Sequence, residues 1–309
     1  MKSQITSILI PTDFSELSES ALKVGLAIAK RQSADITLLH VVDMISVSPP
    51  PEVLLCDTGL VPDSKLTMST KVTELAGNIQ KRTGVKITGK VLYGIPGDRI
   101  CQYAVEENIS LIVMGAHGIS GIREFFIGSE AFRVIRNATC PVMTIPGNWQ
   151  KTDFEKVLFP VRLKPGMLNK YFYALPILEK NNSEVMLLGL ADQKKSDDLK
   201  EVTLLMEKLK VQLYTDKILF QSSLTASKDF PVTIIDTAIE FEADLIILSA
   251  NIDYNLKTAF VGPFAQQVVN HSHLPVLSIK PAGKLEDSPS SFELAEKWGQ
   301  SIVYPKPGI

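Results

Sequence analysis

Two groups of residues in the 309-residue chain are of types that can do chemistry. One is Gly115-Ala116-His117-Gly118, followed after nine residues by Gly128-Ser129. It comes directly after Leu111 to Met114, an apolar run of strand length. Glycines at the carboxyl end of a strand let backbone approach a ligand closely or take φ above zero. Gly128-Ser129 opens a helix-period segment whose free amides and dipole favour a phosphate. The same glycines also suit a tight strand-to-helix turn, and the residues alone leave both open. The other group is Asp13, two residues after Pro11. A carboxylate at that strand end can accept from an adenine amine or a ribose hydroxyl, while capping the next helix is its plainer use. His117 suits a phosphate donor; with no second histidine or acid at catalytic or metal spacing it is poorly equipped as a general base. His271 and His273, flanking Ser272, read as surface or interface polar residues. No G-x-x-x-x-G-K-[ST] loop, G-x-G-x-x-G turn or G-x-S-x-G elbow occurs, so motor-type ATPase, dehydrogenase and hydrolase readings lose their usual support.

The elements that must position these residues are short apolar runs alternating with helix-period segments. Strands are expected at Ser7 to Ile10, Ile36 to Val42, Val85 to Tyr93, Leu111 to Met114 and Val142 to Ile145. After the first, Leu17, Ala21, Val24, Gly25 and Ile28 recur at helical spacing, with Ser15 as N-cap and Glu16 and Glu19 placed to suit the helix dipole. Further helices are expected at Lys65 to Arg82, Asp98 to Glu107 and Ser129 to Arg136. Strands apolar almost throughout and separated by helices imply an α/β fold with a parallel sheet covered on both faces.

That unit occurs twice. Ile8-Leu9-Ile10-Pro11 matches Val157-Leu158-Phe159-Pro160 at an offset of 149, and Asp35 to Asp43 matches Glu184 to Asp192 at the same offset. Leu111 to Met114 then matches Leu245 to Leu248 at an offset of 134, as do Gly128 with Gly262 and Pro141-Val142 with Pro275-Val276. The second copy has lost residues in between, and Ser46 to Pro62, with its proline run, reads as a long loop of the first copy alone. Second-copy strands are expected at Val157 to Pro160, Val185 to Leu190, Ile218 to Ser222, Leu245 to Ser249 and Val276 to Ile279. The domains are therefore expected at 1–147 and 154–281, with a peripheral tail at 282–309.

Composition sets outer bounds. With 32 Lys and Arg against 34 Asp and Glu, net charge −2, neither half has the excess of positive charge that holds nucleic acid or an anionic membrane. No apolar run approaches the roughly 18 residues of a membrane span. The amino-terminal apolar run is too brief for a secretory signal. Cys56, Cys101 and Cys140 are odd in number and lack C-x-x-C spacing, so neither a disulfide framework nor a zinc site is expected. The expected compartment is reducing cytoplasm.

Pro11-Thr12-Asp13-Phe14-Ser15, Leu39-His40-Val41-Val42, Gly115-x2-Gly118-x9-Gly128-Ser129 and Cys140-Pro141-Val142 together resemble the universal stress protein family. The resemblance covers roughly 5–146 and 154–280. It implies two tandem doubly wound, Rossmann-like domains of the adenine nucleotide alpha hydrolase-like kind. It also implies ATP as ligand, with or without Mg²⁺, at Pro11, Thr12, Asp13, Val41, Met114, Gly115, His117, Gly118, Gly128 and Ser129. Glu130 departs from the family pattern, since a carboxylate beside a triphosphate repels it unless it points away or is offset by Arg123 or Arg133. In the second copy Arg162 replaces Asp13, Ser249 replaces Gly115, Asn251 replaces His117, Ile252 replaces Gly118 and Pro263 replaces Ser129. That copy is not expected to bind ATP in the family's manner. Family members commonly dimerise through their last strand, which implies pairing of Val142 to Ile145 with Val276 to Ile279 within one chain and leaves room for a homodimer. The function implied is a nucleotide-binding stress-response regulator. Slow ATP hydrolysis, or a binding module for a lipid or other small molecule, are the alternatives.

Overall fold

The computed structural model describes residues 4–43, 60–116, 128–147, 149–163, 166–195, 197–250 and 263–280. The first half runs β1 (Ser7–Pro11), α1 (Glu16–Gln32), β2 (Asp35–Val42), α2 (Leu60–Thr83), β3 (Ile87–Tyr93), α3 (Pro96–Glu106), β4 (Leu111–Gly115), α4 (Ser129–Asn137) and β5 (Val142–Ile145). The second repeats it as β6 (Lys156–Val161), α5 (Met167–Asn181), β7 (Glu184–Asp192), α6 (Asp198–Thr215), β8 (Leu219–Ser227), α7 (Phe230–Glu240), β9 (Leu245–Ser249), α8 (Pro263–His271) and β10 (Val276–Ile279).

The strands form one ten-stranded sheet in the order β3-β2-β1-β4-β5-β10-β9-β6-β7-β8. Within each half every pairing is parallel, and β5 meets β10 antiparallel, Met143 opposite Leu277. Each half therefore has the 3-2-1-4-5 order of a doubly wound fold, and the order reverses between β1 and β4 and between β6 and β9.

Strand alternation divides the core between two faces. Ile8 and Ile10 join one cluster, with Val24 and Ile28 of α1, and Leu9 joins the other, with Ile100 of α3 and Val134 of α4. All three strand residues are fully buried, worth about 1.5–3 kcal/mol each. Burial on both faces is why these strands read as continuous apolar runs. Ser15 caps α1, its hydroxyl accepting from the Ser18 amide at 3.3 Å.

Some boundaries differ from expectation. The loop foreseen to Pro62 gives way to helix at Leu60, because Pro62 falls in the first turn, where an amide has no helical partner to lose. The rest of that loop, and the tail from 281, lie outside the described residues. β8 extends to Ser227, five residues beyond the run expected from sequence, following β7 in register as far as Asp192. Among the described residues no helix is long and apolar enough to cross a membrane. Cys101 and Cys140 are free thiols, pushed up by burial to about 11 and about 12.

Candidate functional site

The first half opens where its sheet order reverses. β1 follows β2 up to Pro11 opposite Leu39, and the Thr12 amide adds a bond to the Leu39 carbonyl at 2.8 Å. Against β4, β1 pairs only at Ile8–Leu111 and Leu9–Ile112, so the two strands part before their carboxyl ends. Pro11 has no amide with which to continue a ladder. Pro11, Thr12 and Asp13 stand on one side of this crevice, with Val41 near the end of the adjoining β2. Met114 and Gly115 end β4 on the other side. The Gly128 amide donates to the Ala116 carbonyl at 3.0 Å, which fixes the start of α4 beside that strand end. Eight of the ten expected residues thus lie at the carboxyl ends of β1, β2 and β4 or at the start of α4, whereas His117 and Gly118 lie outside the described residues.

A small network sets the Asp13 segment. The Asp13 Oδ1 accepts from the Ser15 amide at 3.0 Å and from the Ser15 hydroxyl at 2.5 Å. Burial pushes its carboxyl up, but the bonds from Ser15 and Ser18 outweigh this and hold it below the usual carboxylate value. Asp13 is thus not the helix cap, which is Ser15; it braces the cap and stays ionised. Phe14 takes φ 63°, a left-handed conformation costing a bulky side chain about 1–2 kcal/mol. Its amide donates to the Thr12 hydroxyl at 3.1 Å, which also shares a hydrogen bond with the Ser18 hydroxyl at 3.1 Å. The Phe14 ring lies 4.9 Å from that of His40, and the Lys71 ammonium sits 3.9 Å from its centroid. His40 Nδ1–H donates to the Thr12 carbonyl at 2.8 Å, locking that tautomer. Sequence reasoning passed over Ser18, His40 and Lys71; only their place beside the strained Phe14 reveals them.

Of the described glycines of the motif, Gly115 acts by close approach. Gly128 has φ −60° and ψ 148°, and Gly115 is not among the positive-φ residues. A Cβ on Gly115 would lie 3.2 Å from Leu17 Cβ and 3.3 Å from its backbone, so this glycine lets the first turn of α1 close onto the end of β4. Gly128 caps α4 without a side chain, so among the described residues no side chain takes the first amides of that helix, which suit an anion. Glu130 does not leave its carboxylate loose beside them. Its Oε2 accepts from the Gly97 amide at 2.6 Å, at the start of α3, whose own N-cap Ile95 offers no side-chain bond. Arg133 lies 3.7 Å from the other oxygen.

Against family models, residues 4–146 and 154–280 each match the universal stress protein family. The chain belongs to the universal stress protein family. Over 146 residues it is 36% identical to universal stress protein MJ0531 of Methanocaldococcus jannaschii, covering 45% of this chain and 80% of that one. MJ0577 of the same organism is 33% identical over 150 residues, covering 45% and 93%. The structure superposes on a universal stress protein from Archaeoglobus fulgidus with a TM-score of 0.73, over 90% of this chain and all of that one, at 20% identity, a likeness of fold.

The second universal stress domain has the same crevice, filled. β6 pairs with β9 only at Val157–Leu245 and Leu158–Ile246 before they part. Lys170, from α5, enters that split fully buried, its Nζ donating to the Pro160 carbonyl at 2.5 Å and the Ile247 carbonyl at 3.4 Å, 3.8 Å from the Phe159 ring centroid. Burial, reinforced by Arg162, drives its amine well below the ordinary lysine value. At the offset of 149 the first domain has Ala21 there. Above, the Arg162 guanidinium lies 3.3 Å over the Phe264 ring, and Phe264 stands where the first domain has Glu130. Ser249, at the position of Gly115, is buried with no hydrogen-bond partner for its hydroxyl.

Proposed function

We propose that the first domain binds an adenine nucleotide, ATP, in the crevice between β1 and β4, and that the protein is a stress-response regulator whose surface responds to occupancy. The observation that carries this is the early parting of β1 and β4 with Asp13, Gly115 and the uncapped start of α4 around the opening. Asp13 is held ionised through Oδ1, which leaves Oδ2 to accept from a ribose hydroxyl or an adenine amine, with Thr12 and Val41 as backbone partners. Met114 supplies an apolar wall. Gly115, His117, Gly118, Gly128 and Ser129 take the phosphates, and the free amides of α4 meet their charge. Glu130 is drawn off to α3, so it does not oppose them. Mg²⁺ enters this reading only as a companion of the phosphates, since among the described residues no three acidic, histidine or cysteine side chains converge.

In the same reading the second domain binds no nucleotide, because Lys170, Arg162 and Phe264 occupy the equivalent space. It serves as a built-in partner, its β10 covering the β5 edge that would otherwise be open. The compartment proposed is the cytoplasm. Titration of the purified chain with ATP tests the reading. Saturable binding that is lost in Gly118→Ile is the expected result, and equal binding by that variant, or none by the native chain, would overturn it.

A further inference from the structure

A second cavity of the first domain runs along α1, from Thr12, Phe14 and Ser18 beside the Asp13 segment to Lys30 near the carboxyl end of that helix. α1 packs chiefly on β1, β4 and β5 while α2 packs on β3, and about 520 Å³ is left between the two helices. Leu22 and Leu26 of α1 face Leu75 and Ile79 of α2 across it. Lys23, Lys30 and Arg82 also line it, against a single acid, Glu19. Lys23 Nζ donates to Gln150 Oε1 at 3.0 Å, whereas Lys30 and Arg82 have no ion pair among the described residues.

The second domain shows what the same place looks like when it is closed. α1 and α5 end in equivalent left-handed caps, Ser33 and Asn182, and α2 and α6 are each followed by a positive-φ residue, Gly84 and Lys217. In that register Leu22 corresponds to Tyr171, Lys23 to Phe172, Lys30 to Glu179, Arg82 to Thr215 and Thr83 to Asp216. Tyr171 is 1% exposed. Its ring packs edge-on against Phe172 and Phe159, at 5.7 and 6.4 Å, and its hydroxyl donates to Asp216 Oδ2 at 2.9 Å. One aromatic side chain thus fills the space between the helices and latches them. The first domain has the smaller Leu22 and the neutral Thr83, and the rim cations Lys23, Lys30 and Arg82 have no cationic counterpart in the second.

We propose that the groove between α1 and α2 binds an anionic amphiphile, a single aliphatic chain ending in a carboxylate. The chain lies on Leu22, Leu26, Leu75 and Ile79, and the carboxylate meets Lys30 and Arg82 at the carboxyl ends of the two helices. The volume falls in the range of roughly 300–1,000 Å³ typical of small-molecule sites, which suits one chain better than the two of a bilayer lipid. The helix ends alone would repel an anion, and the excess of cations at this rim reverses that field. This inference does not rest on the nucleotide reading.

Calorimetric titration of the full chain with dodecanoate, with dodecanol as the uncharged control and ATP as a separate ligand, tests it. The expected result is one dodecanoate per chain, bound about tenfold tighter than dodecanol. Leu22→Tyr, which imports the residue of the second domain, should weaken dodecanoate at least about tenfold, and Lys30→Glu with Arg82→Thr should do the same without touching the apolar wall. ATP affinity should be unchanged in both. Absence of saturable dodecanoate binding, equal binding of dodecanol, or undiminished binding by the rim double variant would overturn the proposal. Should Leu22→Tyr fail to fold, the rim variant alone decides it.

Discussion

The two domains share a topology and treat every opening in it differently. Where β1 and β4 part, the first domain has Ala21 beneath the split; where β6 and β9 part, the second has Lys170, tied to two strand-end carbonyls. In the first, Ile95 cannot cap α3 and Glu130 reaches across from α4 to do so. In the second, Asp229 caps α7 by accepting from the Val232 amide at 3.3 Å, which releases the position of Glu130 to become Phe264 and carry Arg162. Between the outer helices Leu22 leaves room and Tyr171 takes it. A duplicated fold can therefore close its openings without changing its strands, by exchanging which element caps which helix and by filling them with long side chains.

The comparison is broken most forcefully at Tyr171. Tyr171→Leu should cost about 2–4 kcal/mol, the price of a cavity plus a lost hydrogen bond to Asp216, which keeps its bond from Gln212, and denaturant unfolding followed by a probe in the second domain measures it. A loss below about 0.5 kcal/mol would show that the ring does not hold α5 to α6. Next, Asp13→Arg, which gives the first domain the residue of the second, should weaken ATP by about 10- to 100-fold, the worth of a hydrogen bond to a charged acceptor. Unchanged affinity in that variant, with native circular dichroism, would remove Asp13 from the site.

Glu130→Ala should lower stability by about 1–2 kcal/mol through loss of the cap on α3, while ATP affinity shifts less than about twofold. A large gain in ATP affinity would mean that the carboxylate faces the phosphates after all. The last effect is a slope. Lys170 is disfavoured as a cation in the fold, whereas the unfolded chain holds that proton up to about pH 10.4. Between the depressed value and about pH 10.4 the unfolded state binds more protons, so stability rises with pH, by at most about 1.4 kcal/mol per unit. The native chain should gain stability relative to Lys170→Met as pH rises toward about 10. A flat difference would mean that the amine keeps its proton when buried.

Much of this was legible in the residues. The offsets of 149 and 134 reveal the duplication because strand cores tolerate little change, and Gly115 is legible because the end of β4 lies tight against the first turn of α1. The losses at Arg162, Ile252 and Pro263 mark the second domain as altered for the same steric reasons. What filled it was not legible. Lys170 lies within the apolar stripe of α5, beside Tyr171 and one turn before Ala174, and a lysine there reads as a surface residue until the parting of β6 and β9 supplies two carbonyls for its amine. Glu130 reads as a misplaced charge because its partner, the Gly97 amide, is 33 residues away in sequence. The groove between α1 and α2 depends on how far two helices stand apart, which no local pattern encodes.

The central claim is that one crevice is open and its twin is closed. Native mass spectrometry of the intact chain with excess ATP, counting nucleotides per chain, tests it most directly. The account predicts one adenine nucleotide per native chain and none in Gly118→Ile. Two per chain, or one that persists in Gly118→Ile, would contradict it.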